Sequence, residues 1–208
     1  MKWTQARQAH FEYFAEHLKG DGTKKLLDLG AGPVQFRDLF FKYDYFGVDI
    51  GHFEFVDLVT DLRNPIPLPA GSYDIITLSN CLEHIPNPQD LLKECRRLLK
   101  PGGMIIGTVP FLIRPHQEPY DFYRYTNHGL LYLLKDFEEV EVENIGSASY
   151  IYKEIQDKYF EILLGQQKSL FLILFTKLTL WQRRFLRKLE PSDELPQSYG
   201  FRGYKVDK

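Results

Sequence analysis

Apolar residues recur at helical spacing from about Thr4 to Leu18. Beyond that point short apolar runs alternate with amphipathic stretches. "KKLLDLG" reads as a strand running into glycines, "VQFRDLFF" as a short helix, "YFGVDI" as a second strand and "EFVDLVTDL" as a third. "SYDIITLSN" is a fourth, its continuous apolar run suited to a strand buried on both faces. "NPQDLLKECRRLLKPGG" is a helix with both ends written out. Asn87 is placed to cap it, Pro88 suits its first turn, Asp90 faces the positive end of the dipole, and Pro101-Gly102-Gly103 stops it. "MIIGTVP" is a fifth strand, Thr126 or Asn127 starts a helix through about Lys135, and "EEVEVENIG" alternates like an edge strand. "YGFRGYKVDK" returns as a last strand.

This alternation predicts an α/β protein with a doubly wound, mostly parallel sheet of about seven strands. Residues 147–196 interrupt it with an aromatic-rich, basic stretch read as a helical insertion before the last strand. The 208 residues suffice for one sizeable core and are short for two. The expectation is a single domain over 1–208: an N-terminal helix in 1–23, a ligand-binding core in 24–146, the insertion in 147–196 and the last strand in 197–208.

Composition narrows the function classes. A net charge of −2 argues against a surface built for polyanions, so nucleic acid is not the expected partner. The first residues carry no apolar leader, the longest apolar run is "LFLILF", and the two cysteines show neither metal spacing nor a disulfide framework. These features predict a cytoplasmic protein with buried thiols. From Gln166 to Leu189 six basic residues and no acid interleave with Leu, Phe and Trp181. Such a stretch suits either peripheral contact with an anionic membrane or a lid or oligomer face, and the second reading is favoured.

Ligands on doubly wound sheets bind beyond the carboxyl ends of the strands. Asp28, Asp49, Asp61 and Asn80 all fall there. "LDLGAGP" sets Gly30 and Gly32 directly after a strand, where glycine lets the backbone turn tightly beside a ligand. Asp49 closes the next strand, placed to accept from both hydroxyls of a ribose. A dinucleotide fingerprint requires glycine at position 35, which is Gln35, and Asp28 would repel a pyrophosphate. An acid there suits a cationic ligand.

The ordered set "LDLGAG", "GVDI", "TDL", "SYDIITLSNCLEHIPNP" and "LLKPGG" resembles the class I S-adenosylmethionine-dependent methyltransferases, in their small Rossmann-like form. The resemblance covers about residues 24–146. It implies S-adenosyl-L-methionine as cofactor and S-adenosyl-L-homocysteine as product. Asp28, Gly30, Ala31 and Gly32 would stand beside the methionine moiety, Asp49 and Ile50 at the ribose, Asp61 and Leu62 at the adenine, and Ser79 and Asn80 on the methionine side. Val34 stands where a third glycine is frequent in that family. His84 is left near the cofactor without a role.

The segment "PFLIRPHQEPYDFYRYT", residues 110–126, follows strand five, where a methyl acceptor would enter. It resembles a methyltransferase subgroup of glycan and natural-product assembly, implying O-methylation of a small-molecule or glycan hydroxyl. His116 is the candidate general base, with Asp121 orienting it or replacing it, since an imidazole of ordinary pKa about 6.5 suits proton removal near neutrality. Glu118, Tyr120, Tyr123 and Arg124 are the candidate acceptor contacts. No metal is required, and no cluster in the linear sequence has metal spacing. The competing readings are an NAD(P)-type oxidoreductase, which Gln35 and Asp28 oppose, and a catalytically silent cofactor-binding module. A network that merely stiffens the loop is the competing reading of the His116–Asp121–Arg124 group.

Overall fold

The computed structural model describes residues 4–146 and 195–206, with a few isolated positions between 151 and 178. Apart from those positions, the predicted helical insertion over 147–196 and its basic stretch lie outside the described residues. Seven strands form one sheet: β1 (Lys25–Leu29), β2 (Asp44–Asp49), β3 (Leu58–Val59), β4 (Tyr73–Ser79), β5 (Leu99–Pro110), β6 (Glu138–Ile145) and β7 (Ser198–Tyr204). Their order is β3-β2-β1-β4-β5-β7-β6. β1 to β5 run parallel, and β7 lies antiparallel between β5 and β6. The doubly wound, mostly parallel sheet is as predicted. β6 takes an edge, where its alternating glutamates keep the open ladder from recruiting another strand.

Alternate residues of the central strands feed two separate cores. Leu27, Ile76 and Ile105 face one side, with α3 (Pro88–Leu98) and α4 (Asn127–Leu133). Leu26, Ile75 and Ile106 face the other, with α1 (Gln5–His17) and the one-turn α2 (Arg37–Phe40). Both faces being covered explains the continuous apolar runs.

Helix ends show where local rules hold. Thr4 caps α1 through the Arg7 amide at 3.2 Å, and Thr126 caps α4 through the Gly129 amide at 3.1 Å. Asn87 makes no side-chain cap to α3, and Asp90 bonds Lys93 at 2.8 Å. Nor does Pro101-Gly102-Gly103 stop α3. The helix ends at Leu98, Leu99 opens β5, and the ladder passes from Leu99 opposite Tyr73 to Met104 opposite Ile75. The predicted third strand shrinks to Leu58–Val59.

Gln197, just ahead of β7, joins three elements. Its carbonyl accepts from the amides of Phe111 at 2.9 Å and Leu112 at 3.0 Å, and its amide donates to the Ile145 carbonyl at 3.1 Å. No helix among the described residues is long and apolar enough to cross a membrane.

Candidate active site

The carboxyl ends of β1, β2 and β4 open onto a cavity of about 710 Å³, within the ~300–1,000 Å³ usual for small-molecule sites. It is lined at β1 by Asp28, Gly30, Ala31 and Gly32, and at β2 by Asp49 and Ile50. Asp61 and Leu62 line it beyond β3, and Ser79 and Asn80 at the end of β4. The ten residues predicted to hold a cofactor therefore share one space.

Backbone geometry gives this half its shape. Gly30 has φ +78°, and a Cβ there would sit 2.9 Å from the Cys81 sulfur. A side chain at this turn would thus be both strained and obstructed. The Gly32 amide donates to Asp49 Oδ2 at 2.9 Å and the Gly51 amide to Asp49 Oδ1 at 2.8 Å. Asp49 ties together the turns after β1 and β2, and each of its oxygens keeps a second lone pair for an outside donor. Ile50 and Phe53, 64% and 44% exposed, present apolar side chains at the rim.

Asp28 is buried, accepting from Thr77 Oγ1 at 2.7 Å and the Tyr45 hydroxyl at 3.1 Å. Burial pushes its carboxyl up to about 6, against both hydrogen bonds. A cation in the cavity would restore its charge, so the group is poised for a positively charged partner. Asp61 is held by the Arg63 guanidinium, with Nε at 2.9 Å from both oxygens, which keeps its carboxyl below the usual range. The Arg63 guanidinium also lies 5.7 Å from the centre of the Tyr120 ring, joining the two rims of the cavity. Asn80 has φ +48°; its side-chain amide meets His10 Nδ1 at 3.3 Å and accepts from the Thr108 hydroxyl at 3.3 Å. His10 belongs to α1, and burial lowers its pKa to about 4. The N-terminal helix thus supports the cavity, a contact the sequence did not suggest.

The segment 110–126 divides into two. Ile113, His116, Gln117 and Tyr120 line the cavity. The following residues clamp the turn after β4. The Phe122 amide donates to the Glu83 carbonyl at 2.9 Å, the Tyr123 hydroxyl to Pro86 O at 2.7 Å, and the Tyr125 hydroxyl to Leu82 O at 3.1 Å. Tyr123, predicted to meet an acceptor, has its hydroxyl committed to this clamp, and Glu118 is exposed away from the cavity lining. Asp121 and Arg124 also stand outside the lining and pair with each other, Arg124 NH1 at 2.6 Å from Oδ1 and NH2 at 2.8 Å from Oδ2. Arg124 holds the Asp121 carboxyl well below the usual carboxylate range, which makes it a weak base. Asp121 also accepts from the His116 amide at 2.8 Å and faces that ring's Nδ1 at 3.5 Å.

Glu83 was not anticipated. Its side chain is fully buried, and burial raises its carboxyl to about 8. Oε1 lies 3.6 Å from His84 Nε2 and 3.9 Å from His116 Nε2, beyond hydrogen-bond range. The two rings meet edge to face with centres 5.0 Å apart. The adjacent acid and imidazole of "LEHIP" were visible in the sequence, but nothing there shows that the acid turns inward. Cys81 is buried, and burial pushes its thiol well up, as befits an inert core residue.

Known proteins resemble this chain in sequence and fold. Residues 3–140 match the methyltransferase domain family. A ubiquinone biosynthesis O-methyltransferase of Acinetobacter baylyi is 30% identical, the match covering 49% of this chain and 50% of that protein. One of the same description from Marinobacter nauticus is 32% identical over 40% of this chain and 33% of that protein. The chain thus spans about half the length, or less, of these curated relatives. Among solved structures, a SAM dependent methyltransferase from Archaeoglobus fulgidus superposes with a TM-score of 0.64 at 19% identity, covering 96% of this chain and 94% of that one. Phosphoethanolamine N-methyltransferase 2 of Haemonchus contortus gives 0.59 at 20% identity over 95% of this chain and 52% of its own. These two likenesses concern the fold. With the family match spanning most of the core and the motif residues gathered at one cavity, the chain belongs to the methyltransferase domain family, class I S-adenosylmethionine-dependent methyltransferases of Rossmann-like fold.

Proposed function

We propose that the chain methylates a hydroxyl of a small-molecule acceptor, a sugar or natural-product unit, using S-adenosylmethionine. The supporting observation is a single cavity with two chemically different ends: buried and amide-pinned carboxylates at one, imidazoles and an aromatic loop at the other. The residues fit the cofactor. Asp28 offers a buried carboxylate to an ammonium, Asp49 offers two oxygens to a diol, and Ile50 with Phe53 offers an apolar rim to a base. S-adenosylmethionine would supply an electrophilic methyl group on a sulfonium that leaves as a neutral thioether. The chain's own task is then alignment, which can lower a barrier by ~7–11 kcal/mol. The proton of an acceptor hydroxyl would leave toward His116, with Asp121 positioning that ring. The O-methyltransferase names of the sequence relatives agree with a hydroxyl acceptor, whereas one structural neighbour carries the name of an N-methyltransferase.

Calorimetry with S-adenosylhomocysteine, in competition with NAD, tests the cofactor assignment. Methyl transfer to a panel of hydroxylated and amino acceptors tests the acceptor. Binding of S-adenosylhomocysteine that NAD does not displace, and methyl ethers as products, are expected. Displacement by NAD, or methylation confined to nitrogen, overturns the reading.

A further inference from the structure

Glu83, His84 and His116 present their free ends to one point. Their ligand-capable atoms all lie within 4.8 Å of one another. Glu83 is fully buried, and neither of its oxygens has a hydrogen-bond partner among the described residues; the same holds for His84 Nε2. At 3.6 and 3.9 Å neither imidazole reaches the Glu83 carboxyl in a hydrogen bond, and buried polar atoms left without partners are costly, a cost that an ion bound between them would relieve.

The surroundings prepare the His84 nitrogen for that role and hold the His116 ring beside it. His84 Nδ1 meets the Tyr120 carbonyl at 2.6 Å. A carbonyl can only accept, so Nδ1 carries the proton and Nε2 turns its lone pair toward Glu83. His116 Nδ1 lies 3.5 Å from Asp121 and 3.4 Å from the Arg124 guanidinium. A guanidinium can only donate, so in the free protein Nδ1 accepts from Arg124 and Nε2 holds the proton. Binding an ion at Nε2 would displace that proton, and with Nδ1 protonated toward Asp121 the ring would form the carboxylate–histidine–metal relay common at such centres. The separations of 3.6 and 3.9 Å are close to the ~3.4 Å edge that tetrahedral bonds of ~2.0–2.1 Å produce.

We propose that Glu83, His84 and His116 form a binding site for a divalent transition-metal ion of the zinc, manganese or iron class. Two imidazoles and one carboxylate suit these ions and leave coordination positions open. Both histidines line the cavity, so the open positions face the acceptor end. The inference rests on the methyltransferase reading and refines it: the ion would bind the acceptor hydroxyl and ease loss of its proton to water. The new C–O bond forms as the methyl–sulfur bond breaks, its electron pair staying on sulfur, and nothing is oxidised or reduced. In this arrangement His116 is a ligand and not the base. A second cluster, Glu16, His17 and Glu143, is half-buried and outside the cavity lining, and provides a comparison.

The test uses the full chain stripped with a chelator and titrated with Zn²⁺ or Mn²⁺ by calorimetry, and with Co²⁺ by visible absorption. One ion per chain is expected, with affinity falling tenfold or more in Glu83→Gln and in His116→Gln, and unchanged in His17→Gln. His116 is partly exposed, so its variant carries the test if the buried Glu83 substitution does not fold. Absence of binding, binding retained in both variants, or binding lost in His17→Gln overturns the site. S-adenosylhomocysteine affinity, measured on the same samples, separates the two proposals. If it persists without metal binding, only the metal site falls; if it is absent while metal binds, only the cofactor assignment falls.

Discussion

The two ends of the cavity are built by different means. At the end formed by β1 and β2, shape comes from backbone: positive-φ glycines and two amides fastened to the carboxylate of Asp49. At the other end, shape comes from side chains on a proline-rich segment, half of which is spent clamping the turn at 82–86. A ligand that never changes can be met by strand ends, which the core holds in place. An acceptor that differs between related enzymes is better met by a loop, whose residues can be exchanged without disturbing the sheet.

The largest effect should follow from breaking the backbone-built end. Asp49→Ala removes the anchor of two turns and, on the proposed reading, the acceptor of two ribose hydroxyls. At ~1.5–3 kcal/mol for each charge-assisted bond, S-adenosylhomocysteine affinity should fall by about 100-fold or more by calorimetry. A loss below about threefold would mean that this end does not depend on its carboxylate.

Asp28 should show the next effect, with opposite signs for stability and binding. Its folded pKa of about 6 lies above the ordinary 3.8, so its ionisation destabilises the free protein progressively as pH rises from about 4 to 6, and fully above that. A displacement of that size corresponds to at most about 3 kcal/mol. Asp28→Asn should therefore melt higher than the parent at pH 7.5, with the gap closing toward pH 4. Cofactor affinity should behave in reverse: it weakens in the parent as pH falls through 6, and is weak and nearly pH-independent in the variant. Equal melting temperatures at pH 7.5 would contradict the assignment.

Arg124→Ala probes the loop-built end. Losing the fork on Asp121 should cost about 2 kcal/mol of stability and lower methyl transfer, while S-adenosylhomocysteine affinity stays within about twofold. A matching loss of cofactor affinity would show that the two ends are not separable. Tyr120→Ala should have the smallest effect. Its contact to Arg63 is open to solvent, so S-adenosylhomocysteine affinity should shift by about fivefold at most, with little change in melting.

The contrast between the ends also governs how much the sequence revealed. Asp28, Gly30, Asp49 and Asn80 were legible because strand periodicity fixes where each strand ends and the chemistry there follows from residue type. The loop was legible as a special segment at the ligand end of the sheet but not in its division of labour. Tyr123 and Tyr120 look equivalent in the line, yet one clamps a carbonyl and the other lines the cavity. Glu83 escaped because its meaning depends on His116, thirty-three positions later, and on its own burial. Local end signals misled where tertiary pairing outweighed them. Asn87 caps nothing, and Pro101-Gly102-Gly103 is carried within β5, with Gly102 and Gly103 bonded through their backbone to Lys205 just past β7.

The junction at Gln197 has one more consequence. Because its amide meets the Ile145 carbonyl, the described backbone on either side of residues 147–196 is held together at a single point. That point is also the root of the segment 110–126, through Phe111 and Leu112. Two ends pinned in this way form an insertion point. For a flexible connection between them, doubling the length would cost only ~0.6 kcal/mol in closure entropy. Replacing the sequence between Gly146 and Gln197 should therefore leave the sheet intact, and an unchanged S-adenosylhomocysteine affinity would check it.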